Sequence, residues 1–302
     1  MTPRARWTGD LVMVGTAMLM GSSYPFAKEV LAGLGPLLFS GSRYLLAAAF
    51  LFAAMALMRR PLGLPARDLP AMLLLAILGV TFFQSCWGLA IERTQPSLGS
   101  ILMTTTTAFS ALIARANGRV LPAAGWLGIA IAFAGVVLVV NNDLTRVTLG
   151  AVDPVGAALW LVAAFAWALY VDRGAPFNAR LGALRVMAWT TLLGAGLLVP
   201  LALLVEGGSG FARLDDQLWS FWLYTAIFPV GVAFLGLTYG LDRLGVGPVM
   251  VYMYLIPVAG VGLSVLFFGD ELTPARAVGG LVVLAGVVVT RRALDRVTPA
   301  PV

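Results

Sequence analysis

Apolar positions along the chain fall in runs of roughly 20 residues, the length that carries a helix across about 30 Å of hydrocarbon. Short stretches rich in Pro, Gly and charge separate them: Gly35-Pro36, Arg59-Arg60-Pro61, Asn141-Asn142-Asp143 and Glu206-Gly207-Gly208. The pattern predicts ten spans, near 9–28, 36–58, 69–91, 96–115, 122–141, 154–173, 181–205, 218–241, 247–268 and 274–291. Backbone polar groups in lipid must pair within the segment, so runs of this kind are helices. The connections leave no room for a separate soluble domain.

Loop charges give an orientation. With a cytoplasmic N-terminus, 13 of the 20 Lys and Arg residues fall on the cytoplasmic side: Arg4, Arg6, Arg59, Arg60, Arg67, Arg115, Arg119, Arg173, Arg180, Arg243, Arg291, Arg292 and Arg296. Five fall outside (Lys28, Arg93, Arg146, Arg213 and Arg276), while Arg43 and Arg185 lie within spans. Nine of the 14 acids fall on the outer side. Basic residues mark the cytoplasmic loops of membrane proteins, so both termini are expected in the cytoplasm. The same distribution accounts for the net charge of +6 without a nucleic-acid surface. Arg4 and Arg6 before an apolar stretch could mark a signal peptide, but the span's length and the following Lys28-Glu29 fit an uncleaved first helix better.

Composition agrees. Hydrophobic residues make up 60% of the 302 positions and charged ones 11%, with mean hydropathy +0.93. A soluble domain carries about 25% charge. There is no histidine and one cysteine, Cys86, read as a buried filler. A disulfide is excluded, and no metal site or cofactor is expected.

The two halves echo one another. Trp87-Gly88-Leu89 with Pro96 matches Tyr239-Gly240-Leu241 with Pro248, 152 residues on; Gly128 with Ala134-Gly135-Val136-Val137 matches Gly279 with Ala285-Gly286-Val287-Val288, 151 residues on. Five helices per repeat is an odd number, so the repeats must enter the membrane from opposite sides. The expected fold is therefore an all-α membrane protein of two inverted five-helix repeats, 1–146 and 147–302, an architecture of alternating-access carriers with a midplane site.

Ten helices in a five-plus-five duplication, Ser40-Gly41-Ser42-Arg43-Tyr44-Leu45-Leu46-Ala47 early in helix two, Gly88-Leu89 closing helix three, and Phe267-Phe268-Gly269-Asp270-Glu271-Leu272-Thr273 after helix nine resemble the drug/metabolite transporter superfamily, EamA type. The resemblance spans roughly 10–292 and is strongest to bacterial exporters of aromatic and neutral amino acids (YddG type). It implies an inner-membrane location and export. The first half departs from the pattern, with Asn117-Gly118-Arg119 where the second has Gly269-Asp270-Glu271.

Interrupted helices are the prime candidates for a substrate site, because freed carbonyls are tolerated only beside protein or water. Pro229 lies in helix eight and Pro257 in helix nine. Pro257 corresponds to Thr106 in the run Thr104-Thr105-Thr106-Thr107 of helix four, whose hydroxyls can bond back and bend the helix. Helices four and nine are expected to face each other there, with small-residue packing as the alternative. Ser22, Ser23 and Tyr24 of helix one offer hydroxyls beside Pro25. Helix three offers Gln84, Ser85 and Trp87 along with Thr81, which either line a cavity or bond between helices. Trp7, Trp126, Trp219 and Trp222 read as interfacial anchors. Among deeper aromatics, Trp167, Tyr239 and one of Tyr252 and Tyr254 suit an amphipathic pocket.

Arg43 sits on the order of 10 Å into its span. It could meet a substrate carboxylate, or could snorkel or bond carbonyls between the halves; the recurrence of an arginine there across the family's substrates favours the structural role. Arg185, early in helix seven, reads as an anchor. No acid falls at mid-span, so a proton-coupling carboxylate is not expected. A neutral or zwitterionic small molecule, such as an amino acid, is the expected substrate, in keeping with the hydroxyls, aromatics and Met103, Met250 and Met253. A phosphorylated solute would need more cavity cations. A proton-coupled exporter of lipophilic drugs is the alternative, and a membrane enzyme, with no nucleophile–base pair, a remote one. Apart from lipid no macromolecular partner is expected. Gly125, Gly128, Ala132 and Gly135 in helix five and Gly279, Gly280 and Gly286 in helix ten form small-residue faces. Packing within a monomer is preferred for them over a homodimer.

Overall fold

The computed structural model describes residues 3–118, 122–141, 153–244, 249, 252–253 and 255–295. Of the positions singled out above, Arg119, Asn142, Asp143, Arg146, Pro248, Met250, Tyr254 and Arg296 lie outside the described residues, as do the side chains of Arg4, Arg6, Trp7, Thr107 and Arg291. The described chain is helical throughout, with no strand: α1 (Pro3–Val30), α2 (Pro36–Leu57), α3 (Ala66–Arg93), α4 (Pro96–Ala116), α5 (Ala123–Asn141), α6 (Pro154–Leu181), α7 (Ala183–Val205), α8 (Asp216–Gly240, continuing to Leu244), α9 (Leu255–Phe268) and α10 (Pro274–Asp295). Among these residues six helices, α2, α3, α4, α6, α7 and α8, are long and apolar enough to cross a membrane; Ala123–Leu138, Leu255–Phe268 and Pro274–Thr290 are shorter apolar helices.

Sequence punctuation sets the helix ends. Proline opens α2, α4, α6 and α10, where its missing N–H loses no helical bond. Asp153 caps α6 by accepting from Val155 N–H at 2.8 Å and Gly156 N–H at 3.3 Å, and the Gly156 bond foremost holds its carboxyl below the usual range. Gly182 (φ +86°) ends α6, and Gly269 (φ +68°) follows α9, both in the left-handed region where glycine is unstrained. One expected boundary is corrected: residues 174–180, read as a connection, continue α6 through Pro176 to Leu181. Within a helix already formed, proline removes a single bond.

Three interruptions stand inside long helices. The expected distortion of α4 is a 3-10 turn, Met103–Thr105. Hydroxyls of Thr104, Thr105 and Thr106 donate to Ile101, Leu102 and Met103 carbonyls at 2.7–2.8 Å. Pro229 lies in a π turn, Ile227–Val232, of α8, and α3 has a matching π turn, Ile77–Phe82, 150 positions earlier.

The packing is reciprocal: α1 lies against α8 and α9, α6 against α3 and α4, α2 against α7, and α5 against α10. The last pair meets through its glycines. A Cβ on Gly135 would stand 2.5 Å from Val283 N, and one on Gly286 would collide with the backbone of Ala132. The small-residue faces of α5 and α10 thus meet within one chain. Ion pairs brace both ends of the antiparallel α3–α6 pair, Arg93–Asp153 at 3.3 Å and Asp68–Arg180 at 2.6 Å. Leu57, Leu204, Leu266, Phe267 and Leu281 point out of the bundle, as lipid-facing side chains do.

Candidate functional site

Arg43 is the centre of the buried polar residues. It is 2% exposed, one turn beyond Phe39 on α2, so its guanidinium stacks back over that ring at 4.6 Å. α3 covers the other side with Trp87, whose ring centroid is 4.5 Å from the guanidinium carbon, and Tyr44 stands at 5.4 Å. Arg43 donates to Ser23 Oγ of α1 at 3.0 Å and to Gln84 Oε1 of α3 at 2.8 Å, while Gln84 Nε2 donates to the Tyr44 hydroxyl at 2.6 Å. Arg43 Nε is buried without a hydrogen bond, and none of the ion pairs among the described residues includes Arg43. A guanidinium deep in the bundle is thus held only by neutral acceptors and π faces. Such faces attract a cation by about 0.5–2 kcal/mol each, short of what a carboxylate gives at low dielectric.

Beside it, Tyr24, Trp87 and Trp160 form a cluster with ring centroids 5.7–5.8 Å apart. Trp160 Nε1 donates to Thr94 Oγ1 at 2.8 Å. Its ring passes so close to Gly99 that any side chain there would overlap it. Helices of both halves therefore build this wall.

Of the residues expected in a site, the structure brings Ser23, Tyr24, Arg43, Gln84 and Trp87 together. The others lie elsewhere. Ser22 hydrogen-bonds the Tyr224 hydroxyl at 2.8 Å, and Ser85 donates back to Thr81 O at 2.7 Å. Thr104 and Thr106 bond within α4. Trp167 lies between Phe83 and Tyr170, both at 5.0 Å. Tyr239 lies under Arg243 at 5.3 Å near the end of α8, and half-buried Tyr252 packs against the core cluster that includes Tyr44, Phe234 and Met13. Pro257 is buried in the first described turn of α9, which meets α4 at Gly260 and Ser100. Trp222, read as an interfacial anchor, also donates to Ser42 Oγ at 3.0 Å. Tyr44 joins the site from the run that carries Arg43, and Phe39 and Trp160 join it without having been singled out, though Phe39 stands four before Arg43.

A cavity of about 240 Å³ lies at the bundle end that carries the α1–α2 and α3–α4 turns, lined by Pro25, Lys28, Glu29, Gln95, Pro96, Phe268, Gly269 and Asp270. Among the described residues no three His, Cys, Asp or Glu side chains group to hold a metal.

Known proteins resemble this chain in sequence and in fold. The model of the EamA-like transporter family matches twice, over residues 7–141 and 154–292. An uncharacterized transporter of Archaeoglobus fulgidus is 28% identical over 284 residues, 93% of this chain and 96% of its own. A Streptantibioticus cattleyicolor protein named "Probable terminal-alkyne amino-acid exporter" is 28% identical over 292 residues, 94% of each chain. The uncharacterized inner membrane transporter YedA of Escherichia coli is 25% identical, covering 90% of this chain and 87% of its own. A crystal structure superposes with TM-score 0.68 at 20% identity over 97% of this chain and 99% of its own, a likeness of fold. With the family model covering nearly the whole chain in two copies, this protein belongs to the EamA-like transporter family.

Proposed function

We propose that this multi-pass membrane transporter exports small neutral or zwitterionic metabolites, amino acids with apolar or aromatic side chains foremost, and that Arg43 receives the solute's carboxylate. The observation that carries the reading is the buried guanidinium with a free Nε and no acidic partner, walled by Phe39, Tyr44 and Trp87. A carboxylate would supply the missing countercharge in a fork geometry that arginine favours. Tyr24, Trp87 and Trp160 offer apolar faces for the side chain. The name of the Streptantibioticus relative supports the substrate class.

In this reading two five-helix halves, 1–146 and 147–302, lie inverted in the bacterial inner membrane, with both termini in the cytoplasm. Support comes from the two family matches, the π turns 150 positions apart and the reciprocal packing of α1 and α6. The chain works as a monomer, since α5 and α10 spend their glycine faces on each other. Coupling through a buried acid has no part in this reading, because the buried carboxylates Asp68 and Asp270 both lie at helix ends and are paired with Arg180 and Arg276.

The test is uptake of a radiolabelled amino-acid panel into liposomes holding the purified protein. Aromatic and other apolar amino acids are expected to equilibrate, Arg43→Gln to reduce uptake at least tenfold, and an imposed pH gradient to give no accumulation. Absence of uptake for every amino acid would overturn the substrate class. Retained transport of a lipophilic cation in Arg43→Gln, driven by a pH gradient, would favour a drug exporter instead.

A further inference from the structure

At the end of the bundle that carries the α1–α2 and α3–α4 turns, two helix N-termini of the first half lack caps of their own. Gly35 precedes α2 and Gln95 precedes α4, and neither makes a side-chain capping bond. Each helix opens with proline, so the next N–H groups are the unpaired donors. Carboxylates of the second half satisfy them. Glu206, just past α7, accepts from Leu37 N–H at 2.9 Å with Oε1 and from Leu38 N–H at 2.8 Å with Oε2. Asp270, just past α9, accepts from Ser97 N–H at 2.9 Å. Capping carboxylates come from the same helix as a rule; here they are 169 and 173 residues away.

Both contacts are built in. A Cβ on Gly35 would collide with the Glu206 carboxylate, so glycine leaves the seat open. The left-handed Gly269 turns the chain so that Asp270 N–H returns to Ser264 O at 3.1 Å, which aims the Asp270 side chain at α4. Arg276, 6% exposed, steadies it at 3.9 Å while donating to Glu271 O and Gln95 Oε1. The seam beside this second contact is loosely filled: the 240 Å³ cavity lies there between α1, the start of α4 and the end of α9.

The geometry points to Glu206 and Asp270 as two latches that close this end of the transporter, each a carboxylate of one half seated on a helix N-terminus of the other. The inference rests on the transporter reading, since a carrier must part its halves at one end to release solute there. Charge-assisted bonds to helix N-termini are strong enough to bias such an equilibrium and few enough to break together.

Leu34 reports on the seam. It is 1% exposed, covered by Gly210 of the second half, whose Cβ would lie 2.8 Å from Leu34 Cδ1. In a Cys86→Ala background, Leu34→Cys is expected to react slowly with a polar maleimide in lipid nanodiscs. Glu206→Gln with Asp270→Asn is expected to raise that rate about tenfold or more. Should the double variant not fold, the single variants carry the test, with about threefold each. Folded variants that label no faster than the parent would overturn the latches. Labelling needs no solute, so a failed amino-acid panel with faster labelling would remove the substrate class and leave the gate standing.

Discussion

The guanidinium of Arg43 depends on Gln84 as much as on the rings around it. Gln84 is 2% exposed and bridges Arg43 to the Tyr44 hydroxyl, so Gln84→Leu would strand two polar groups at once. An unsatisfied buried group costs about 1–3 kcal/mol, more beside a charge. The variant is expected to unfold several degrees lower in a detergent melt and to raise KM for uptake more than it lowers kcat. Gln84→Glu would supply the missing anion internally. It is expected to melt no lower than the parent but to lose uptake, because the carboxylate seat is taken; full uptake by Gln84→Glu would argue that Arg43 meets no solute. Trp160, by contrast, is held by Thr94 and by the bare Gly99, and Gly99→Val should displace its ring.

At the scale of elements, glycines decide which helices approach. α5 and α10 touch backbone to backbone at Gly286, and Gly286→Ala places a methyl against Ala132. Overpacking of this kind costs about 1–3 kcal/mol. We expect a lower melting temperature and reduced yield of monodisperse protein. Gly262 in α9 has nothing within 4 Å of its would-be Cβ, so Gly262→Ala should be neutral or slightly stabilising. Equal losses from both substitutions would show that the α5–α10 contact is not what sets the cost, since alanine is the better helix former at either site. The π turns belong to this scale too. Each places a glycine against another helix, Gly79 on Tyr170 and Gly231 on Phe50, so the widened turn coincides with a close approach.

For the whole molecule, topology carries the functional argument. Inverted halves require both chain ends on one side of the membrane. Fusion of a cytoplasm-active reporter to each end is expected to give activity at both, and opposite results would break the inversion and the two-sided gate with it. The same frame explains why the latches pair helices of different halves, since contacts within a half would move with it and hold nothing shut.

Much of this was legible in the chain. Runs of apolar residues set the helices because lipid leaves the backbone no other partner, and prolines and glycines set their ends. The family was visible in the run around Arg43 and in Gly269-Asp270-Glu271. The hydroxyl run at Thr104 foretold a distortion because it acts within its own turn. What depends on neighbours far along the chain was not legible. Nothing near Glu206 or Asp270 says that they cap α2 and α4, and nothing near Trp160 says that it joins Tyr24 and Trp87. Trp167 and Tyr239 have fitting chemistry, but Trp167 packs between Phe83 and Tyr170, and Tyr239 lies near the end of α8. Local pattern fixes which segments are helices, because hydrogen bonding and burial in lipid are settled residue by residue. Which faces meet is settled only by packing all the helices at once, and the candidate site and the proposed gate arise only there.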